Sequence, residues 1–286
     1  MKQFEEIKKE ILERAHNARA CTIQYKRAYQ SENLETLCNV IKDNFWWCCR
    51  NNVLDGELID KYKKIFSDNK IYHNVSIKSG FLLASGNSTV EASGNSTVKA
   101  YDNSTVEASG NSTVEASGNS TVQASGNSTV QASGNSTVKA SGNSTVEAYD
   151  NSTVQASGNS TVEAYGSTVQ ASGNSTVKAY DNSTVEASGN STVEASGNST
   201  VKASGNSTVE ASGNSTVQAY GNSTVKAYGN STVQAYGNST VKAYDNSYIN
   251  CRSTIECVLK DNSIVRKWDT NTIQYVSDNL KFEKKY

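Results

Sequence analysis

Two histidines, His16 and His73, and six cysteines are the side chains best suited to acid–base, nucleophilic or metal chemistry in this 286-residue chain. Neither histidine has a metal partner at a ligand spacing, so both read as surface or packing residues. The cysteines (Cys21, Cys38, Cys48, Cys49, Cys251, Cys257) show no CxxC or zinc-site spacing. They read as reduced, buried thiols of an intracellular protein. Serine and threonine hydroxyls are abundant, but the repeats that hold them contain no base to activate one. The expectation is a protein that is not an enzyme and that needs no metal and no cofactor. Asn-Ser-Thr recurs throughout and is formally a glycosylation acceptor. Here Asn reads as a turn residue.

Those hydroxyls belong to roughly twenty copies of an octapeptide, Ala-Ser-Gly-Asn-Ser-Thr-Val-Xaa, running from about Ala84 to Asp245. Eight residues cannot bury their own apolar side chains, so each copy gains stability only by stacking on others. Within a unit, Ser-Thr-Val-Xaa-Ala reads as a short strand and Ser/Tyr-Gly/Asp-Asn as a turn. Side chains alternate along a strand. Ser88, Val90 and Ala92 therefore point to the core, and Thr89 and Glu91 to water. Gly, Asn and Asp tolerate the positive φ that such a turn requires. The chain contains no proline, consistent with coils that all donate main-chain hydrogen bonds to their neighbours.

The Tyr-Asp form of the turn sets the coil length. It occurs at Asp102, Asp150, Asp181 and Asp245, at intervals of 48, 32 and 64 residues once an Asn missing between Gly166 and Ser167 is allowed for. All are multiples of 16, which favours two strands per coil over three. A Ser/Val/Ala interior would not fill a wider lumen. Ten such coils stacked at about 4.8 Å predict a rod of roughly 50 Å. The predicted fold is mainly β: a β-solenoid with 16-residue coils and a small α-helical cap domain at the N-terminus.

Three segments follow: a helical cap domain over residues 1–72, the octapeptide solenoid over 73–247, and degenerate coils with a C-terminal cap over 248–286. In the first, Phe4, Ile7, Ile11 and Leu12 form an apolar helical stripe. Ser31 and Asp55 read as helix N-caps, with Ile59, Tyr62 and Ile65 continuing one helix after Asp55. Trp46 and Trp47 sit near the end of a helix begun near Ser31. This segment reads either as a cap that blocks edge-to-edge strand pairing or as a partner-binding module with Trp46 and Trp47 as its contact. Gly80 to Ala84 keeps the strand register with greasier residues. Beyond Asp245, the runs starting at Ser247, Ser253, Ser263 and Asn271 read as degenerate strands in which Ile replaces Val and Cys replaces inward Ala. Lys281 to Lys285 add charge at the open end.

Net charge is -1, with 27 basic and 28 acidic residues, which argues against nucleic-acid binding by a basic stripe. There is no apolar run of membrane-spanning length, and Met1-Lys2-Gln3-Phe4-Glu5-Glu6 does not look like a secretory leader. The expected compartment is the cytoplasm. Three periodic surface features remain. Outward threonines form columns (Thr89, Thr97, Thr105 and Thr113 among them), and the Glu/Gln/Lys positions form another set. Tyr101, Tyr149, Tyr165, Tyr180, Tyr228 and Tyr244 fall on one edge; Tyr220 and Tyr236 fall on the other. Tyr149, Tyr165 and Tyr180 belong to successive coils and should stack. That strip either stiffens the turns or forms an aromatic interface.

Ala219 to Lys226, Ala-Tyr-Gly-Asn-Ser-Thr-Val-Lys, resembles the octapeptide of bacterial ice-nucleation proteins, Ala-Gly-Tyr-Gly-Ser-Thr-Xaa-Thr. The resemblance implies 16-residue coils, a tyrosine ladder on one edge and threonine rows that order water. The second Thr is Glu, Gln or Lys in every copy here, so the resemblance supports architecture more than activity. The caps, through Phe45-Trp46-Trp47-Cys48 and Ser277 to Glu283, resemble uncharacterised repeat proteins of gut Bacteroidota and their phages and mobile elements. The leading expectation is a structural or scaffold rod for self-association or protein docking. The alternatives are a mobile-element inhibitor or decoy that binds a host protein, and an ice-binding or water-ordering protein.

Overall fold

The computed structural model describes residues 2–276. The charges read at Lys281 to Lys285 and the segment Ser277 to Glu283 lie outside the described residues. The chain divides into two compact units, 1–123 and 124–286. Both carry the same β-solenoid coil, and the fold is mainly β.

The first unit begins with six helices: α1 (Lys2–Asn17), α2 (Thr22–Tyr29), α3 (Leu34–Asp43), α4 (Phe45–Arg50), α5 (Gly56–Lys61) and α6 (Lys63–Asp68). The stripe on α1 behaves as its spacing predicts: Ile7 and Ile11 are buried, with Phe4 and Leu12 packed beside them. Asp55 caps α5, its carboxylate accepting from Leu58 N–H at 2.8 Å. Two local expectations are corrected. The α3 cap is Asn33, not Ser31: Asn33 accepts from Thr36 N–H, and the Thr36 hydroxyl accepts from Asn33 N–H in return. Ser31 is buried, and its hydroxyl donates to Arg27 O at the end of α2. The expected long helices are also each broken in two, at Asn44 between α3 and α4 and at Tyr62 between α5 and α6.

After α6, a strand at Ile71–His73 pairs in parallel with Ile77–Ala84. Leu82 then stacks on Val98, and Ala84 on Ala100. The greasier first coil therefore keeps the repeat register. Its outward positions explain the grease. Leu83 is buried in the helical core, with Phe81 and Tyr101 packed against it, and Phe45 meets Phe81 at 5.1 Å between centroids. The helices thus lie against the outward face of these early coils. Lys99, an outward position elsewhere in the repeat, is buried there and ion-paired with Glu115, which also accepts from Arg50 at 3.0 Å.

In the second unit, two stacks of parallel strands face each other across a narrow interior. One stack runs from Thr129–Ala132 to Glu256–Leu259, the other from Thr137–Ala140 to Ile264–Lys267. Partners are 16 residues apart, as in Val130 on Val146 and Val185 on Val201. Across the missing Asn the spacing falls to 15, yet Val154 still meets Val169 and Val162 meets Val177. The turn takes up the change. Ser167 Oγ reaches back two residues to Tyr165 O, where its counterparts reach three, as Ser160 does to Ser157 O.

The interior is Val, Ala and Ser, and its valines are fully buried. The buried serine is satisfied locally: Ser160 Oγ donates to Ser157 O at 2.7 Å, closing its own turn. Asparagines form a side-chain ladder on each edge, as in Asn190 to Asn174 on one and Asn214 to Asn198 on the other. Turn glycines such as Gly158 have φ near +68, and a Cβ there would lie 3.0 Å from Gly142 O one coil away. Asp150 and Asp181 adopt the same left-handed conformation.

The last coils differ from expectation at two strands. Cys251 does occupy an Ala position, stacking on Ala235. The next strand, however, is Glu256–Leu259, with Cys257 on Val241, so Cys257 fills a Val position. Residues Thr272–Tyr275 do not add a coil. They turn back antiparallel to Ile264–Lys267 through a bend with Asn271 at φ 52, and all four are exposed. This hairpin ends the parallel stacking.

Candidate functional site

The tyrosine edge of the second unit forms as its spacing predicts. Tyr149, Tyr165 and Tyr180 stack face to face, with centroids 5.0 and 4.9 Å apart and rings within 13° of parallel. Tyr228 and Tyr244 continue the same column three coils later, at 4.7 Å. Tyr220 and Tyr236 stack at 5.0 Å on the opposite edge. Each residue begins a turn directly after an inward Ala, so its ring leaves the coil at the corner and meets its counterpart one coil on. Tyr149 and Tyr165 hydroxyls donate to Glu147 and Glu163, each at 3.2 Å. Partial burial and the adjacent carboxylates raise both phenols above the ordinary tyrosine range. Lys260, in the next coil of the Tyr244 column, stands over that ring at 5.6 Å. Tyr236 is exposed and the other stacked rings are half-buried, so each run of stacked rings shows an aromatic flank, with Ser196 and Ser212 interrupting the longer column.

Tyr101 behaves differently in the first unit. It packs against the helical core, and burial raises its phenol. It contributes no ring to an open strip there. Trp46 and Trp47 are both half-buried against the same core. Trp46 meets Phe45 edge-on at 5.6 Å, and Trp47 lines a cavity of about 250 Å³ with Cys21, Tyr25 and Ile41. The threonine columns point outward: Thr89 is in register with Thr105, and Thr97 with Thr113. Thr89 and Thr113 are exposed, while Thr97 and Thr105 are half-buried. Among the outward charges, Lys178–Glu163, Lys202–Glu186 and Lys226–Glu210 pair between successive coils at 3.7 to 3.8 Å. These exposed pairs tune the surface more than they stabilise it.

Sequence reasoning missed a base next to a serine. His73 Nδ1 lies 2.8 Å from Asp60 Oδ2, and its Nε2 lies 2.9 Å from Ser85 Oγ. The three residues come from α5, the first strand and the first solenoid turn. Nothing in their spacing announces the contact; the fold brings them together. Gly56 permits it, since a Cβ there would lie 2.4 Å from the imidazole. The order carboxylate–imidazole–hydroxyl is that of an activated serine. The two main-chain N–H groups at the serine are already engaged, Ser85 with Asn74 Oδ1 and Gly86 with Asp102 Oδ2. They are therefore not open donors for an oxyanion. What the geometry does provide is a clasp tying α5 to the first turn.

Of the six cysteines, Cys21 is exposed, contrary to the buried reading. Burial pushes the Cys38 and Cys48 thiols up to about 11 and about 12, and the Cys49 thiol higher still. Among the described residues no cluster of His, Cys, Asp and Glu has the make-up of a metal site, and no helix is long and apolar enough to cross a membrane.

Comparison of the chain with protein-family models, with curated proteins and with solved structures returns no match. The class therefore rests on the fold: a β-solenoid of 16-residue coils.

Proposed function

We propose that this protein is a non-enzymatic scaffold whose tyrosine edge mediates self-association or docking of another protein. One observation carries the proposal: stacked, half-exposed tyrosines held in register on coils whose interiors are fully buried. Rigid aromatic rings present contact area at little cost in conformational entropy, which is why aromatic residues are enriched at interfaces. The mixed Glu, Gln and Lys surface beside them supplies a polar rim. A cytoplasmic setting, with neither membrane nor nucleic acid as partner, fits the near-neutral charge. The likeness of the octapeptide to ice-nucleation repeats enters as a likeness of coil architecture; the Glu, Gln or Lys after each Val interrupts the threonine face that water ordering needs. Docking through Trp46 and Trp47 has less support, because both rings are committed to the helical core.

Sedimentation equilibrium of the full-length protein over a wide concentration range tests the proposal. A mass above the 30.7 kDa monomer supports self-association. A strict monomer that also captures no protein partner removes the scaffold reading.

A further inference from the structure

Near the end of the second unit, a lysine occupies an inward position. The inward column runs Ala219, Ala235, Cys251, Lys267, each in register with the next. Lys267 is only 6% exposed. Its ammonium donates to Ile255 O at 2.6 Å and Arg252 O at 3.4 Å, and it lies 3.4 Å from Cys251 Sγ and 3.6 Å from Cys257 Sγ. Among the described residues no carboxylate forms an ion pair with it. The nearby Asp269 is held by the Ser253 N–H and hydroxyl instead. A buried ammonium is costly without a counter-charge. The groups at hand that can supply one are the two thiols, whose sulfurs face each other across the coil at 3.4 Å.

We propose that Cys251, Cys257 and Lys267 form a redox-active dithiol that reacts with a hydroperoxide and closes an intramolecular disulfide. The resting pair shares one proton, and its single negative charge is balanced by Lys267. The hydrogen bond from Cys257 and the ammonium bring Cys251 below the ordinary thiol range against the effect of burial, and the same hydrogen bond raises Cys257. Cys251 is fully buried and Cys257 half-exposed, so the oxidant arrives at Cys257. The shared proton moves to Cys251, and the Cys257 thiolate attacks a peroxide oxygen. An S–O bond forms, the O–O bond breaks, and the leaving alkoxide takes a proton from solvent. Cys251 then attacks the sulfenic sulfur. The S–S bond forms, the S–O bond breaks, and the departing hydroxide leaves as water with the thiol proton. Two sulfurs lose two electrons and the peroxide gains them.

Full-length protein treated with hydrogen peroxide, then alkylated and mapped by peptide mass spectrometry, tests this. The expected product is a Cys251–Cys257 cross-linked peptide. Lys267→Met, which keeps the aliphatic stem and removes the charge, should slow its formation about tenfold or more, with the fold monitored by circular dichroism. Should that variant not fold, the rate of wild-type cross-link formation against pH takes its place, with a midpoint below the ordinary thiol range expected. Recovery of both cysteines as separate alkylated thiols while exposed Cys21 is oxidised would overturn the proposal. So would an unchanged rate in folded Lys267→Met, or a wild-type midpoint at or above that range.

Discussion

Burial in the helical segment of the first unit rests on a few large side chains, among them Phe45, Phe66, Leu37 and Ile41. Burial in residues 124–247 rests on Val, Ala and Ser repeated coil after coil. In the first case each side chain has one shape-matched place. In the second every place is the same, and ladders of main-chain bonds, asparagines and tyrosines carry the order from coil to coil. The contrast teaches where irreplaceable information sits: in single residues of the helical core, and in the register of the repeat. A one-residue deletion before Ser167 is absorbed there within one turn, which a jigsaw core would not allow.

The largest expected effect is at the helical core. Phe45→Ala should cost about 3–5 kcal/mol, seen as a lower denaturant midpoint in the fluorescence of Trp46 and Trp47. An unchanged midpoint would mean that the aromatic contacts to Trp46 and Phe81 do not hold that core. Val193→Ala, in the repeat, should cost about 2 kcal/mol, because two methyls are lost from an interior with no larger neighbour to fill the gap; thermal melting of the β-signal reads this. Gly158→Ala forces an alanine into the left-handed region and against Gly142 O, for about 1–2 kcal/mol. Gly158→Asp should cost less in the same melts, since Asp150 and Asp181 already adopt that conformation. Equal losses for the two variants would show that close stacking, not φ, sets the requirement.

Much of this was legible in the sequence. The spacing of the Tyr-Asp turns gave the 16-residue coil, and Val and Ala at alternate positions gave its inside. The tyrosine columns followed by counting, and Tyr149, Tyr165 and Tyr180 do stack. Contacts made between elements were not legible. Asp60, His73 and Ser85 meet only because α5 packs beside the first turn, and Tyr101 is covered by helices whose position no repeat count supplies. Ser31 looked like a helix cap because serine often is one, whereas the pairing of Asn33 with Thr36 decides the start of α3. Lys267 was open to counting: sixteen residues after Cys251, it falls on the inward column. Its charge disguised it as a surface residue.

The smallest expected effect on stability per substitution is the most telling for function. Ser occupies the tyrosine position in most repeats, so Tyr149→Ser, Tyr165→Ser and Tyr180→Ser together restore the common unit and should cost only about 0.5–1.5 kcal/mol per lost ring pair. Light scattering on this triple variant beside the wild-type protein, at matched concentrations and with the β-signal confirmed, is the most direct test. An assembly is expected for the wild type, above its 30.7 kDa monomer mass, and a monomer for the variant. Identical masses for the two proteins, with no protein partner captured by the wild type alone, would contradict the account.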